Sequence, residues 1–186
     1  MLVTIVTSVG LALYGYHYRL QQRRLHAMSQ IEKDSGFISF RSENGGIPLE
    51  ITDQVRRHDL PERIYLAGSK LDQKTLELLP SLNDARFISF NSSEFADRHV
   101  GYLDGFTDLC ELQLNGTLIT EIGLQHLSTQ HRLTQLTLND TSVDDNAVDA
   151  LAAMKSLRKL YIRNTNLSDK GLKRLQSELP GCEVMR

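Results

Sequence analysis

Histidine, cysteine and serine are the residues through which this chain could support catalysis or hold a metal ion. Its six histidines show no metal-ligand spacing of the His-Glu-x-x-His kind; they are His17, His26, His58, His99, His126 and His131. Two cysteines are too few for a cysteine-based zinc site. Ser156 and Lys159 have a Ser-x-x-Lys spacing, but the pair spans a predicted loop that leads into a strand. Because no phosphate-binding loop or nucleophile elbow occurs either, we predict that the protein is not an enzyme and uses no metal or cofactor.

Two further polar patterns have a simpler structural explanation than a chemical one. The pair Asp144-Asp145 is reminiscent of a calcium loop, but the residues after it lack the spacing of oxygen ligands, and helix capping explains it better. Four glycosylation sequences begin at Asn91, Asn115, Asn139 and Asn166. Three of them use a hydroxyl residue that recurs every 24 positions, so we interpret them as consequences of a repeat.

Apolar residues recur with a period of 24 residues from position 64 to position 175. Two columns, two positions apart, alternate as the inward side of a strand does. The first contains Ile64, Ile88, Leu112, Leu136 and Leu160, and the second contains Leu66, Phe90, Leu114, Leu138 and Ile162. Three later columns have helical spacing, and the last is leucine throughout: Leu79, Leu103, Leu127, Leu151 and Leu175. This period predicts a solenoid whose repeats each contain a strand, a loop, a short helix and a second loop.

Polar residues at fixed places in the period are predicted to stabilise each repeat. Good N-cap residues precede four of the helices, at Asp72, Thr120, Asp144 and Ser168. The position after the N-cap contains a carboxylate, which interacts favourably with the helix dipole, in four repeats: Asp97, Glu121, Asp145 and Asp169. A hydroxyl column follows the strands at Ser69, Ser93, Thr117, Thr141 and Thr165, and we expect it to satisfy buried loop amides rather than a ligand.

The most specific pattern is found in residues 109–124, LCELQLNGTLITEIGL. It resembles the leucine-rich repeat family, most closely the short-helix subtype of planctomycete bacterial proteins, which is similar to the repeats of F-box leucine-rich proteins. No F-box sequence accompanies it. The resemblance implies an α/β fold: a right-handed leucine-rich repeat solenoid with a parallel β-sheet on the concave face, short helices on the convex face and an N-terminal helix.

The period also predicts where the solenoid begins and ends. We expect five repeats over residues 61–178, an N-terminal cap over 36–60 with a short helix near 50–57, and a capping strand over 179–186. The cap should contain a strand at residues 37–40. Counting 24 residues back from Ile64 gives Phe40, and counting 24 forward from Leu160 gives Val184, so seven strands should stack.

The two cysteines should be free thiols. Cys110 and Cys182 are 72 residues, or three periods, apart. Stacked strands would therefore place them about 14 Å from each other. A disulfide requires Cα atoms within about 7 Å.

The first 18 residues contain no charged side chain and are predicted to form an uncleaved membrane anchor. Interfacial tyrosines, ending at Tyr18, would be followed by a juxtamembrane helix over residues 19–35. A cleaved signal peptide and an N-terminal helix buried against the domain are the alternatives. Arg19, Arg23 and Arg24 favour a cytoplasmic repeat array, whereas the resemblance favours the opposite side of the membrane.

Composition and architecture together predict a protein-interaction module. The formal net charge of -2 at pH 7 provides no basic surplus for binding nucleic acid. Solenoids usually lack the deep pocket that catalysis requires and bind partners on an extended surface. A membrane-surface scaffold without a defined ligand and a periplasmic sensor of peptides or glycans are the alternative functions.

The residues that flank the inward strand columns form three outward rows, which we predict to be the partner-binding surface. The first row is Arg63, Phe87, Glu111, Gln135 and Lys159; the second is Tyr65, Ser89, Gln113, Thr137 and Tyr161; the third is Ala67, Asn91, Asn115, Asn139 and Arg163. Tyr65, Phe87, Tyr161 and Arg163 are the predicted anchors, because aromatic residues and arginine often anchor interfaces. The amide-rich centre suits hydrogen bonds to a peptide or a glycan.

Overall fold

Within the described part of the chain, seven strands form one sheet, and helical connections join the consecutive parallel strands. The computed structural model describes residues 2–34, 36–40, 61–66, 68 and 71–186. The strands are β1 (Phe37–Phe40), β2 (Pro61–Tyr65), β3 (Phe87–Ser89), β4 (Glu111–Gln113), β5 (Gln135–Thr137), β6 (Lys159–Tyr161) and β7 (Glu183–Met185). The α-helices are α1 (Leu2–Lys33), α2 (Gln73–Leu78), α3 (Glu121–Leu127), α4 (Val148–Ala153) and α5 (Asp169–Glu178). Short 3-10 helices cover Leu79–Leu82, Asp97–Leu103 and Asp145–Ala147.

The register of strands β2 to β7 reproduces the 24-residue period. These strands are parallel, and their pairing aligns Ile64, Ile88, Leu112, Leu136, Leu160 and Val184. The two inward columns of the repeats are fully buried, as is the leucine column of the helices. The protein is therefore an α/β leucine-rich repeat solenoid, as the sequence predicts.

The first strand differs from the prediction in direction and register. Strand β1 is antiparallel to β2 and pairs Ile38 with Ile64, whereas Phe40 lies opposite Pro61. Alternating apolar residues look the same in either strand direction, so the period alone could not identify the antiparallel pair. The described residues form the seven predicted strands, but the alignment of Phe40 with Ile64 is wrong. The helix expected near residues 50–57, like the rest of 41–60, lies outside the described residues.

The helical connection of the second repeat is a 3-10 helix rather than an α-helix. It covers Asp97–Leu103 and contains Gly101, a poor α-helix former. Its apolar side is nevertheless buried as predicted, at Val100 and Leu103.

The last third of α1 packs against the first repeat. Ala27, Met28 and Ile31 are buried in the same core as the strand columns. Arg24 donates through Nε to the carbonyl of Ser81 at 3.1 Å and forms an ion pair with Asp84. Helix α1 runs without a break to Lys33, so residues 19–33 of the segment predicted as helical over 19–35 are helical, and Ser35 lies outside the described residues. The end of α1 contributes to the N-terminal covering of the core, which the sequence assigned to residues 36–60. Across the residues that the structure describes, no helix has the length and apolar character to cross a bilayer.

Candidate binding site on the strand face

The outward side chains of β2 to β7, together with Asn91, Asn115, Asn139 and Arg163 just after the strands, form a surface that we call the strand face. Strand pairing aligns the first two predicted rows residue by residue. Pairing with β7 adds Glu183 beside Lys159 and Met185 beside Tyr161. Ala67 of the third row lies outside the described residues.

An aromatic cluster covers the N-terminal end of the strand face. The guanidinium of Arg63 lies 4.1 Å from the centroid of Phe87, and the ring of Tyr65 lies 4.9 Å from that of Phe87. Phe37 of β1 extends the cluster, with its ring 5.7 Å from Tyr65. These neighbours leave Phe87 only 4% exposed, so its prediction as an exposed anchor is wrong. Its apolar surface is already used within the protein.

Glu111 is the centre of a hydrogen-bonded network in the middle of the strand face. Its Oε1 accepts from Gln113 Nε2 at 3.0 Å and from Gln135 Nε2 at 2.9 Å, and its Oε2 lies 3.7 Å from Arg63. Gln113 in turn accepts a bond from Asn91 Nδ2 at 2.8 Å. An exposed ion pair adds little stability by itself. The network instead fixes the positions of side chains from four consecutive strands and their ends.

The asparagines of the third row form a ladder along the solenoid. The Oδ1 atoms of Asn91, Asn115 and Asn139 accept the backbone N–H groups of Asn115, Asn139 and Arg163, at 2.9, 2.9 and 2.7 Å. Each asparagine thereby satisfies a backbone donor of the following repeat. These residues lie on the predicted surface, but their carbonyl oxygens have a structural role that the sequence analysis missed. Their recurrence every 24 positions was the available signal.

The C-terminal end of the strand face differs from the rest because its cations are not engaged. Lys159 and Arg163 are exposed and Tyr161 is half-buried. Among the described residues, no carboxylate lies within ion-pairing distance of either cation. Thr137, the neighbour of Tyr161 in the second row, is only 6% exposed and its hydroxyl has no partner in the described structure. The prediction of Thr137 as an exposed binding residue is therefore wrong.

The hydroxyl column has the structural role that the sequence predicts, with a different hydrogen-bond direction. Thr117, Thr141 and Thr165 donate to the carbonyl three residues earlier, at 2.7, 2.7 and 3.0 Å. Of the four column members that the structure describes, Ser93 alone acts as expected, because its Oγ accepts the N–H of Phe95 at 3.3 Å. Ser69 lies outside the described residues. These hydroxyls satisfy turns at the strand ends.

Two carboxylates bind the N-cap residue of the helix in the next repeat, a contact that the sequence analysis also missed. Asp97 accepts from the N–H of Thr120 at 2.8 Å and from its Oγ1 at 2.6 Å. Asp145 accepts from the N–H and the Oγ of Ser168 at 2.8 and 2.6 Å, and these bonds lower the pKa of Asp145. Gly123 and Gly171 stand three residues after each recipient, where a side chain would collide with the carboxylate. We call each such carboxylate, its recipient and the glycine an inter-repeat clamp.

Helix capping follows the prediction at three of the four N-cap positions. Thr120, Asp144 and Ser168 accept backbone N–H groups of their helices, whereas Asp72 makes no such bond. In the second repeat, where Ala96 has no side-chain acceptor, Nδ1 of His99 accepts the Ala96 N–H at 3.0 Å. Burial, with a smaller effect of Arg98, lowers the pKa of His99.

Other reactive groups of the described residues lie at the surface or are isolated from one another. An open groove of about 430 Å³ contains Asp104, His126 and Arg132, and Nε2 of His126 lies 2.7 Å from Asp104. No cluster of three metal-ligating side chains occurs within the described ranges. Cys110 and Cys182 are both free thiols.

Comparison with protein-family models gives no match, and comparison with curated proteins gives none either. Among solved structures, the chain is similar to an internalin (inlF) of Listeria monocytogenes, with 14% identity and a TM-score of 0.48 over 67% of this chain and 40% of the internalin. It is also similar to a leucine-rich repeat protein of Leptospira interrogans, with 18% identity and a TM-score of 0.43 over 59% of this chain and 33% of that protein. The chain thus spans less than half the length of either protein. The strand register and the buried columns establish the fold independently of these similarities.

Proposed function

We propose that the protein is a non-enzymatic interaction module that binds a protein partner on its strand face. The observation that carries the proposal is the contrast between the two ends of this face. Arg63 is stacked and paired at one end, whereas Lys159, Tyr161 and Arg163 project from β6 and its end without a charged partner among the described residues. Tyrosine and arginine are enriched among the residues that dominate binding energy.

The rest of the strand face supports binding by being fixed in advance. Glu111, Gln113 and Gln135 hold one another in place, and the asparagine ladder holds the strand ends. A partner would therefore order few additional side chains when it binds, which reduces the entropic cost of association.

Site-specific photo-crosslinking in the native cell tests this proposal. A photoreactive amino acid replaces Tyr161 on the strand face in one variant, and exposed Lys173 on α5 in a matched control. We expect a protein adduct at position 161 and none at position 173. Adducts only at 173, or the same adducts at both positions, would contradict a binding site on the strand face.

Alanine variants then measure the contribution of the two expected anchors to the identified partner. Tyr161→Ala and Arg163→Ala should each weaken binding by about 1–3 kcal/mol. The thermal midpoint should change little. In Arg163→Ala, for example, the bond to Asn139 is kept, because Asn139 binds the backbone N–H of residue 163 and not the arginine side chain. Lys173→Ala is the control. Loss of folding in both strand-face variants, rather than loss of binding, would count against the assignment of these residues.

We further propose that residues 1–18 anchor the module to a membrane and that its repeats belong to the short-helix subtype found in planctomycete proteins. The uncharged first 18 residues and the following arginines support the anchor, and the 24-residue period supports the subtype. A cytoplasmic array is the orientation that the arginines favour.

A further inference from the structure

We infer that the C-terminal part of the strand face binds an acidic, extended polypeptide segment. This inference rests on the proposed function and specifies the chemistry of the partner. The surface concerned consists of Asn139, Lys159, Tyr161 and Arg163, and we call it the donor patch. Lys159 and Tyr161 lie on β6, Arg163 follows β6, and Asn139 follows the neighbouring strand β5.

The charge of the donor patch is positive and largely uncompensated. Glu183, which is aligned with Lys159, is the one carboxylate beside it in the rows of the described strand face, and the two groups form no ion pair. Glu111 is already bound by Gln113 and Gln135. Asp140, at the end of β5, accepts a bond from Asn164 at 2.9 Å.

Hydrogen-bond donors also exceed acceptors in the donor patch. The Oδ1 of Asn139 is occupied by the ladder, but its NH₂ group has no acceptor among the described residues. Lys159 and Arg163 have donors only. The side-chain oxygen of Gln135 and the carboxylate of Glu183 are the acceptors nearby. A ligand that supplies carboxylate and carbonyl oxygens would complement this surface.

The spacing of the two cations fits an extended acidic chain. Lys159 and Arg163 are four residues apart across β6, or about 13 Å in an extended strand. Carboxylates on alternate residues of an extended peptide repeat about every 7 Å, so two of them can reach both cations while Tyr161 contacts the chain between them. A membrane surface would favour cations spread over the whole face. Here Arg63, the cation at the other end, is engaged with Phe87 and Glu111.

Fluorescence anisotropy of a labelled peptide with the full chain tests the inference. The probe is a peptide of about ten residues that alternates alanine and glutamate, and the control peptide has glutamine at every glutamate position. At about 50 mM NaCl we expect the glutamate peptide to bind at least about tenfold more tightly, and raising the salt to about 300 mM should weaken it several-fold.

Charge-neutralising variants locate the binding surface. Lys159→Gln/Arg163→Gln should weaken binding of the glutamate peptide by at least about fivefold, whereas Lys170→Gln/Lys173→Gln on α5 should not change it, although both variants lose two charges. The charge-retaining variant Lys159→Arg/Arg163→Lys should keep most of the binding. Thermal unfolding followed by circular dichroism identifies any variant that fails to fold. If the neutralised variant is unfolded, the binding of the charge-retaining variant and the salt dependence decide whether the two positive charges bind the peptide.

Three results would overturn the inference. They are equal binding of the glutamate and glutamine peptides, equal loss in the two neutralised variants, and tighter binding to phosphatidylserine vesicles than to the glutamate peptide. A partner that crosslinks at position 161 through a segment without acidic residues would also overturn it while leaving the proposed function intact. Absence of any crosslink at 161 would instead contradict the proposed function.

Discussion

Replacing Gly123 by alanine should destabilise the solenoid, although alanine is the better helix former. Gly123 is buried in the first turn of α3, and a Cβ atom there would lie 2.5 Å from Oδ1 of Asp97 and 3.2 Å from Cγ1 of Ile119. The carboxylate of Asp97 cannot move away without weakening its two bonds to Thr120. Ile119 is fully buried and has little space to rotate.

The opposing contributions can be compared in magnitude. Helix propensity alone would stabilise the alanine variant by about 1 kcal/mol. Weakening two hydrogen bonds to a partly exposed carboxylate costs about 2 kcal/mol in total, and overpacking beside Ile119 costs about 1–3 kcal/mol. The expected net loss is therefore about 2–4 kcal/mol, which corresponds to a fall of about 5–15 °C in the thermal midpoint.

Thermal and urea unfolding of the full chain, followed by circular dichroism, measures this loss. Gly101→Ala is the matched control, because a Cβ at Gly101 meets nothing within 4 Å, and it should be neutral or slightly stabilising. In the double variant Asp97→Ala/Gly123→Ala the carboxylate that collides with the new Cβ is absent. The loss of unfolding free energy in this variant should therefore be smaller than the sum of the losses in the two single variants. A Gly123→Ala protein as stable as the wild type, or strictly additive losses, would refute the clamp.

Four shorter predictions concern other parts of the chain. Burial lowers the pKa of His99 below its ordinary 6.5, so below that pH the unfolded chain binds the proton more readily than the folded protein does. The free energy of unfolding should therefore fall as the pH is lowered through about 6.5. The fall should be smaller in His99→Gln, because the glutamine amide can accept the Ala96 N–H without titrating. Phe87→Ala should lower the free energy of unfolding by about 3 kcal/mol, in contrast to the exposed anchors, and an unchanged midpoint would contradict its burial. Titration of the unfolded, unreduced monomer should give two reactive thiols, Cys110 and Cys182, and fewer would indicate a disulfide. The full chain should stay with membranes through an alkaline wash, and a variant that lacks residues 1–18 should be released by it. Digestion of the repeats by protease added to intact spheroplasts would refute a cytoplasmic array.

The solenoid was predictable because its stabilising contacts repeat at one spacing. A column such as Leu79, Leu103, Leu127 is fully buried in every repeat, and one strand register follows directly from the period. Features that occur once could not be found in this way. The packing of α1 through Met28 and Ile31 and the antiparallel direction of β1 depend on contacts that α1 and β1 make with each other and with the first repeat.

On the strand face, the sequence predicted the direction in which a side chain points better than its exposure to solvent. Period-two alternation correctly indicates that Phe87 and Tyr161 point away from the core, since their strand neighbours are fully buried. It cannot show whether adjacent strands then cover an outward side chain. Phe87 lies beneath Arg63 and beside Tyr65 and is buried, whereas Tyr161 has Thr137 and Met185 as aligned neighbours and remains half-exposed.

The same column can therefore contain residues with structural roles and a residue available for binding. Asn91, Asn115 and Asn139 occupy successive repeats, and each uses its side-chain oxygen to bind the backbone of the next. Arg163 takes their place in the fifth repeat and has no acceptor with which to do so, because a guanidinium only donates. Its charge remains at the surface, next to Lys159 and Tyr161, where the three preceding repeats present asparagine. Arg163 is the last residue whose backbone N–H the ladder binds, and its side chain adds an exposed cation at that end of the ladder. The acidic partner that we propose would pair with this cation.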